Sequence, residues 1–154
     1  MEVIDVKRAV DYNYQKTQKG KIIMLETGIK LTRTTTVDHA RLASTMHSGT
    51  LDVFATPAMV AFMEETAMES VAPHLDQGTT TVGTKLEISH LAASPLGAHI
   101  RCESTLVEID GRRLVFEIKA WDDADLIGEG RHERFIILSE RFMAKVNAKK
   151  ELLS

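Results

Sequence analysis

One long helix-forming segment stands among strand-forming segments, and this imbalance limits the possible folds more than any other feature of the sequence. Residues 57–71 are rich in alanine, methionine and glutamate, and they begin with a proline, which is favoured in the first turn of a helix. Pro73 is predicted to end this helix. Alternating and β-branched residues then predict four strands, at 79–93, 98–109, 112–123 and 126–138.

These four strands are expected to run in antiparallel meander order. Asp110 and Gly111 form a strong hairpin signal between the second and the third strand. A further strand is predicted at 28–37, a short helix with a loop at 38–55, and a short helix in the tail at 142–153. Because one hydrophobic helix cannot cover both faces of such a sheet, we predict an α+β fold in which a curved antiparallel sheet wraps around a long central helix.

The composition is that of one ordinary globular domain. The chain has 154 residues and a formal net charge of -3, which gives no electrostatic reason to expect nucleic-acid binding. No apolar run is long enough for a membrane span, and the N-terminus lacks the apolar region of a signal peptide. The single cysteine, Cys102, excludes an internal disulfide. We therefore expect a cytoplasmic protein without nucleic-acid or membrane partners.

Residues 1–23 are polar and weakly patterned. They are interpreted as an N-terminal extension that is poorly ordered or loosely docked, with a short docked helix as the alternative. The folded domain is expected to span residues 24–154.

Glu64 is a carboxylate within the apolar side of the predicted helix. A projection at about 100° per residue places it in one stripe of roughly 100°, whereas Glu65 and Glu69 lie on the opposite, solvated side. A buried carboxylate without a partner is costly, so some interaction should hold it there. It either reaches water or a backbone donor from the stripe edge, or it acts as a general base or an orienter of water or substrate. The apolar members of the stripe are Val60, Met63, Ala67 and Val71.

A hydroxyl and an imidazole accompany this carboxylate. Thr56 precedes Pro57 at the helix start, where it either caps a backbone N–H or lies where the helix dipole stabilises negative charge. His90 ends an alternating strand face, either as a satisfied core residue or as a proton shuttle. Together the three groups supply a nucleophile, a shuttle and an orienter. Thr56 and Glu64 lie about 12 Å apart along the helix. If both serve one reaction centre, a second subunit is expected to bring them together.

The strand at 79–93 is predicted to alternate strictly, with Gly83 on one face and His90 on the other. Gly83 marks a bulge or a close backbone approach, or serves packing alone; an exposed N–H there would bind a carbonyl oxygen. In the last strand His132 and Arg134 share a face, as an anion-binding pair or as a solvated or ion-paired edge. The motifs of metal and cofactor sites are missing, so neither is expected. The face of His90 is expected to hold Val82, Thr84, Leu86 and Ile88.

Four stretches of the chain resemble the fluoroacetyl-CoA thioesterase-like branch of the hotdog-fold superfamily. They occur in the order found in that family, and the resemblance covers residues 25–146. It implies a hotdog fold, pairing as a homodimer or a dimer of dimers, and an acyl-CoA substrate. The stretches are VFATPAMVAFMEETA at 53–67, TTVGTKLEISHLAASPLG at 80–97, EIDGRRLVFEIKAWD at 108–122 and IGEGRHERFII at 127–137.

The resemblance also implies residue roles. A threonine, a glutamate and a histidine that act together in the family match Thr56, Glu64 and His90. A glycine that contacts the thioester matches Gly83, and an arginine that lines the pocket matches Arg134. The first three are therefore expected to be catalytic, and the other two to bind substrate.

One departure from the family concerns the acyl group. Two phenylalanines that form an apolar lid in the fluoroacetyl-specific enzyme correspond here to His47 and Thr50. Thr50 is therefore expected to line the substrate site, and the substrate is expected to be another short or medium acyl-CoA, hydrolysed to free acid and CoA. The alternatives are a non-catalytic acyl-CoA-binding hotdog module and a hotdog hydratase or dehydratase.

Overall fold

The computed structural model describes residues 16–18 and 21–153. Most of the predicted extension at 1–23 lies outside these residues, and its described part forms an antiparallel pair of strands. The strands are β1 (Lys16–Gln18), β2 (Lys21–Ile23), β3 (Lys30–Thr36), β4 (Thr79–His90), β5 (His99–Asp110), β6 (Arg113–Trp121) and β7 (Leu126–Leu138). The helices are α1 (Ala43–Met46), α2 (Thr56–Val71) and α3 (Ser139–Glu151), with 3-10 turns at His39–Arg41 and Ala72–His74.

Five strands form one antiparallel sheet in the order β3-β5-β6-β7-β4. The expected meander is wrong in one respect, because β4 pairs with β7 at the sheet edge and not with β5. The segment 91–98 between β4 and β5 contains Pro95 and Gly97, and it is longer than a tight hairpin loop. This length lets the chain return to the other half of the sheet. The α+β class, with one long helix on a curved antiparallel sheet, is confirmed.

Helix α2 is fixed against the sheet by its apolar side. Met59, Met63 and Ala67 are fully buried, and they pack with large apolar side chains of the central strands. Each large side chain removed from water stabilises the fold by about 1.5–3 kcal/mol. Gly128 of β7 leaves room for Met59, whose sulfur would lie 2.6 Å from a Cβ at that position. The helix therefore has a fixed position relative to β4 and β7.

Two helix boundaries differ from the predictions. Thr56 is the first residue of α2 and Ala55 occupies the cap position, so the interpretation of Thr56 as the cap is wrong. Helix α3 begins at Ser139, earlier than expected, and none of its residues is buried. None of the described helices combines the length and the apolar character that a membrane crossing requires.

Strand β4 contains a bulge that decides which of its residues share a face. The register with β7 passes from Gly83 directly to Lys85, which leaves Thr84 without a paired residue. An extra residue in one strand reverses the alternation beyond it. The expected strict alternation is therefore wrong: Gly83, and not Val82, lies on the same face as His90.

Candidate active site

The start of α2 and the end of β4 meet at one point. Thr56 is the first residue of α2 and His90 is the last residue of β4. The Thr56 Oγ1 atom lies 2.8 Å from the His90 Nδ1 atom, which is hydrogen-bond distance. Two of the three residues expected to be catalytic are thus in direct contact within one chain.

The surroundings of His90 favour its neutral form. The ring is half-buried, and burial lowers the pKa of its imidazole. Its Nε2 atom is buried and makes no hydrogen bond of ordinary geometry within residues 16–18 and 21–153, although the Ala92 backbone opposes part of the pKa shift. A neutral imidazole beside a hydroxyl is the arrangement of a general base with its nucleophile, or with a group that positions water.

A cavity of about 320 Å³ opens beside this pair. Thr56 and His90 lie in its wall with Ser48 from the loop after α1. Thr50, from the same loop, is exposed and is not among the lining residues of the single chain. The remaining wall comes from small and apolar residues: Ala43, Val53, Phe54, Leu91, Ala92 and Ala93.

The segment that leads into Thr56 is held by a neighbouring loop. The Phe54 N–H donates to the Ser94 carbonyl at 2.8 Å. The Ser94 hydroxyl in turn donates to the Asp122 carboxylate at 2.7 Å, and this carboxylate also accepts two backbone N–H groups of its own turn. Sequence reasoning missed Ser94 and Asp122, because serine and aspartate are ordinary loop residues.

Glu64 belongs to a second polar group further along α2. Its Oε2 atom lies 3.5 Å from Arg134 Nη1 and 3.9 Å from His132 Nε2. The Glu64 side chain is 37% exposed, so the expectation that it points into the core is wrong in part. The carboxylate lies at the edge of the core, where polar side chains of β7 meet the helix.

Arg134 is held rigidly beneath this carboxylate. It is only 6% exposed, and it donates from Nε to the Thr81 hydroxyl and from Nη2 to the Thr81 carbonyl, both at 2.8 Å. Burial lowers the pKa of Arg134 and the charge of Glu64 opposes this. The interpretation of His132 and Arg134 as a solvated edge is therefore wrong, whereas ion pairing is observed. Thr81 was missed, although it lies two residues before Gly83 on the same face.

His132 orients the guanidinium from the other side. It is fully buried, and its Nδ1 atom lies 2.9 Å from the Lys85 carbonyl, which can only accept a hydrogen bond. Its Nε2 atom lies 3.0 Å from Arg134 Nη1, which can only donate. The ring is therefore neutral with its proton on Nδ1, consistent with burial, which lowers the pKa of His132.

Gly83 completes this second group. A Cβ atom at Gly83 would lie 2.6 Å from Glu64 Oε2 and 3.2 Å from His132 Cε1, closer than ordinary contact. Both roles proposed for this glycine, a bulge and a close approach, are present: the bulge follows directly after Gly83, and pairing with Arg134 places Gly83 on the face toward α2. Any other residue here would displace the carboxylate.

The two polar groups are separate in a single chain. The structure unites Thr56 with His90, and Glu64 with Gly83 and Arg134, but about 12 Å of helix lies between Thr56 and Glu64. Strand β4 carries residues of both groups and lies at the edge of the five-stranded sheet. Across residues 16–18 and 21–153, no three His, Cys, Asp or Glu side chains are arranged to hold a metal ion.

Comparison with known proteins identifies related sequences and structures. The family model for fluoroacetyl-CoA-specific thioesterases matches residues 37–140. Fluoroacetyl-CoA thioesterase of Streptantibioticus cattleyicolor is 41% identical over 98 residues, which are 64% of this chain and 70% of that protein. A solved structure of fluoroacetyl-CoA thioesterase is similar with a TM-score of 0.78 and 33% identity, over 81% of this chain and 97% of that chain. A threonine-to-serine mutant of that enzyme in complex with acetyl-CoA gives a TM-score of 0.78 and 32% identity, over 81% and 98%.

Proposed function

Because the chain belongs to the fluoroacetyl-CoA-specific thioesterase family, we propose that it is an acyl-CoA thioesterase that hydrolyses a short or medium acyl-CoA to free acid and CoA. The hotdog fold expected from the sequence is confirmed by the same comparisons. The observation that carries the proposal is the 2.8 Å contact between the Thr56 hydroxyl and the His90 imidazole, beside a cavity at the start of α2.

Thr56 and His90 perform the proton transfer. His90 accepts a proton either from the Thr56 hydroxyl, which then attacks the thioester carbonyl, or from a water molecule that Thr56 positions. The start of α2 stabilises the negative charge that develops on the carbonyl oxygen, because free backbone N–H groups and the positive end of the helix dipole lie there. His90 then returns the proton to the leaving thiolate. Where Thr56 has attacked, the acyl group is left on its hydroxyl oxygen; a water molecule deprotonated by His90 then releases the acid, and His90 returns the proton to Thr56.

Glu64 orients or activates the water, with the Gly83 N–H and Arg134 binding the thioester region. These groups reach Thr56 when two chains form a homodimer, alone or within a dimer of dimers, in which each site takes Thr56 and His90 from one protomer and Glu64 from its partner. The edge position of β4 supports this pairing, because an unpaired strand edge is able to continue a sheet into a second copy.

The acyl group differs from fluoroacetyl in this proposal. His47 and Thr50 stand at the lid positions, and both side chains are exposed. We propose that Thr50 contacts the acyl-CoA from the loop after α1, outside the cavity wall of the single chain. A cytoplasmic location follows from the substrate class, and the free thiol of Cys102 is consistent with a reducing compartment.

Thiol release from a panel of acyl-CoAs tests the activity. Thr56→Ala and His90→Ala should each lower kcat/KM at least about 100-fold, whereas the exposed residues Thr34 and His39 tolerate the same change. Acyl-CoA binding without thiol release would indicate a binding module. Hydration of an enoyl-CoA at a higher rate than thiol release would indicate a hydratase.

Mixing two inactive variants tests the shared site. Thr56→Ala and Glu64→Gln chains, unfolded and refolded together, form heterodimers in which one site has all its residues. Activity should return to about a quarter of the unmodified level, because half of the dimers then carry one intact site of two. A site built within one chain would show no recovery.

A further inference from the structure

The ion pair between Glu64 and Arg134 is unusually long. Glu64 Oε2 and Arg134 Nη1 lie 3.5 Å apart, near the limit for a hydrogen bond. Six other contacts between a Lys or Arg cation and a carboxylate within residues 21–153 measure 2.6–3.1 Å. Arg134 is the most deeply buried of these cations, and opposite charges attract more strongly where water is excluded. Its long contact with Glu64 therefore needs a local cause.

Neutral acceptors hold the guanidinium of Arg134. Nε and Nη2 donate to the hydroxyl and the carbonyl of Thr81, both at 2.8 Å. Nη1, the nitrogen that faces Glu64, donates to His132 Nε2 at 3.0 Å. Each guanidinium nitrogen thus has a neutral partner that is closer than the carboxylate. Of these two partner residues, His132 is the one that binds the nitrogen nearest to Glu64.

His132 is itself fixed in place. The ring is fully buried, its Nδ1 donates to the Lys85 carbonyl at 2.9 Å, and its centroid lies 6.3 Å from that of Phe116. Because the Nδ1 proton is used there, Nε2 keeps a lone pair for Arg134. The same Nε2 lies 3.9 Å from Glu64 Oε2, which is too far for a hydrogen bond. His132 therefore binds Arg134 and not the carboxylate.

We propose that His132 is a positioning residue that holds Arg134 away from Glu64, which leaves the carboxylate free to bind and activate water. A carboxylate in a short contact with a guanidinium is a weaker base, because the cation stabilises its ionised form. At a longer distance the guanidinium still attracts the carboxylate, with a smaller loss of basicity. The inference rests on the proposed thioesterase activity, in which Glu64 acts on water, and it adds a residue that acts through Arg134.

Two substitutions of His132 each retain one of its hydrogen bonds. The amide in His132→Asn lies near the former Nδ1 and donates to Lys85, but nothing accepts from Arg134. The carbonyl oxygen in His132→Gln reaches the former Nε2 position and accepts from Arg134, while the bond to Lys85 is lost. We expect His132→Asn to lower kcat about tenfold with KM changed less than about twofold, and His132→Gln to lower kcat less than about threefold.

The matched control is His74→Asn, since His74 Nδ1 also contacts a backbone carbonyl, that of Met24. This control should change kcat less than about twofold. A residue that only stabilises the bulge in β4 would give the opposite order of the two His132 variants, and a general loss of packing would give equal losses. Either result would overturn the proposal. In the Glu64→Gln background His132→Asn should have little further effect on kcat, and additive losses would also overturn it.

A measurement without turnover separates this inference from the activity. In a crystal structure of His132→Asn, the distance from Arg134 Nη1 to Glu64 Oε2 should shorten to the 2.6–3.1 Å of the other ion pairs, and in His132→Gln it should not. An unchanged distance in both variants would overturn the proposal. An unmodified protein that releases no thiol from any acyl-CoA, with the contact shortened in His132→Asn, would refute the thioesterase and retain the role of His132 in holding Arg134.

Discussion

The start and the middle of α2 carry polar groups of different construction. At its start, Thr56 and His90 form a simple pair that borders a cavity. Further along, Glu64 is one member of a network in which Arg134 is bound by two neighbours and nearly buried. The side chains at the start are free to exchange a proton, and the side chains around Glu64 are held in one orientation. This difference suits a reaction that needs a mobile proton at one point and a fixed charge at another.

The most severe test of this comparison is removal of the charge of Glu64. Glu64→Gln keeps the shape of the side chain. We expect kcat/KM for acyl-CoA to fall at least about 100-fold if both polar groups serve one reaction. Glu65→Gln is the matched control, since Glu65 is the next residue and pairs with Arg33 on the other side of the helix. Full activity of Glu64→Gln would mean that Thr56 and His90 work without Glu64.

A smaller effect is expected from crowding the polar group around Glu64 without removing any of its side chains. Gly83→Ala introduces a Cβ atom 2.6 Å from Glu64 Oε2, and the partly exposed carboxylate moves away at a cost below about 1 kcal/mol. We expect kcat/KM to fall about tenfold, because the fixed orientation is lost. Thiol-release kinetics and thermal unfolding measure the two effects. In the Glu64→Gln background Gly83→Ala should have little further effect on kcat/KM, and additive losses would contradict the contact.

The position of Thr56 is expected to depend on the loop that contains Ser94 and on its contact with Asp122. Asp122→Ala leaves the Ser94 hydroxyl and two backbone N–H groups without their acceptor, so the free energy of unfolding should fall by about 1–2 kcal/mol. Urea unfolding measures this loss. Asp123→Ala serves as the control in the same turn. A fall in kcat with an unchanged KM for acyl-CoA would show that the loop positions Thr56. If neither kcat nor the free energy of unfolding changes, the loop plays no such part.

The smallest effect is a pH dependence of the free energy of unfolding, to which both polar groups should contribute. Burial lowers the pKa of His90 and of His132 in the folded protein. Below the ordinary histidine pKa of about 6.5, the unfolded chain then binds more protons than the folded one, so stability falls as pH decreases from about 7 to about 5. Urea unfolding across this range measures the slope. His132→Asn should reduce it, and an unchanged slope would show that His132 is not held neutral.

Much of the fold was predictable because it depends on local patterns. Pro57 and the residues after it indicate the helix, and Asp110 with Gly111 indicates the hairpin between β5 and β6. The edge position of β4 was not predictable, because it depends on pairing with β7 across a long stretch of chain. Alternation within a strand does not identify its neighbour.

The candidate site was predictable to the extent that its residues are chemically unusual for their positions. Glu64 on an apolar helix side and His90 at the end of a strand face attract notice. Thr81 and Ser94 do not, because a threonine in a strand and a serine in a loop are ordinary. The bulge beside Gly83 has no local pattern of its own, since the extra residue is recognised only against the partner strand.

The bulge in β4 has a consequence for how this sequence is able to change. Gly83 and His90 are an odd number of positions apart, so in a regular strand they would face opposite sides of the sheet. The unpaired Thr84 converts this odd spacing into a shared face. A single-residue insertion or deletion between them would turn one of the two polar groups outward, whereas loops elsewhere tolerate such changes. In related sequences that keep the site, we therefore expect the number of residues between this glycine and this histidine to be the same.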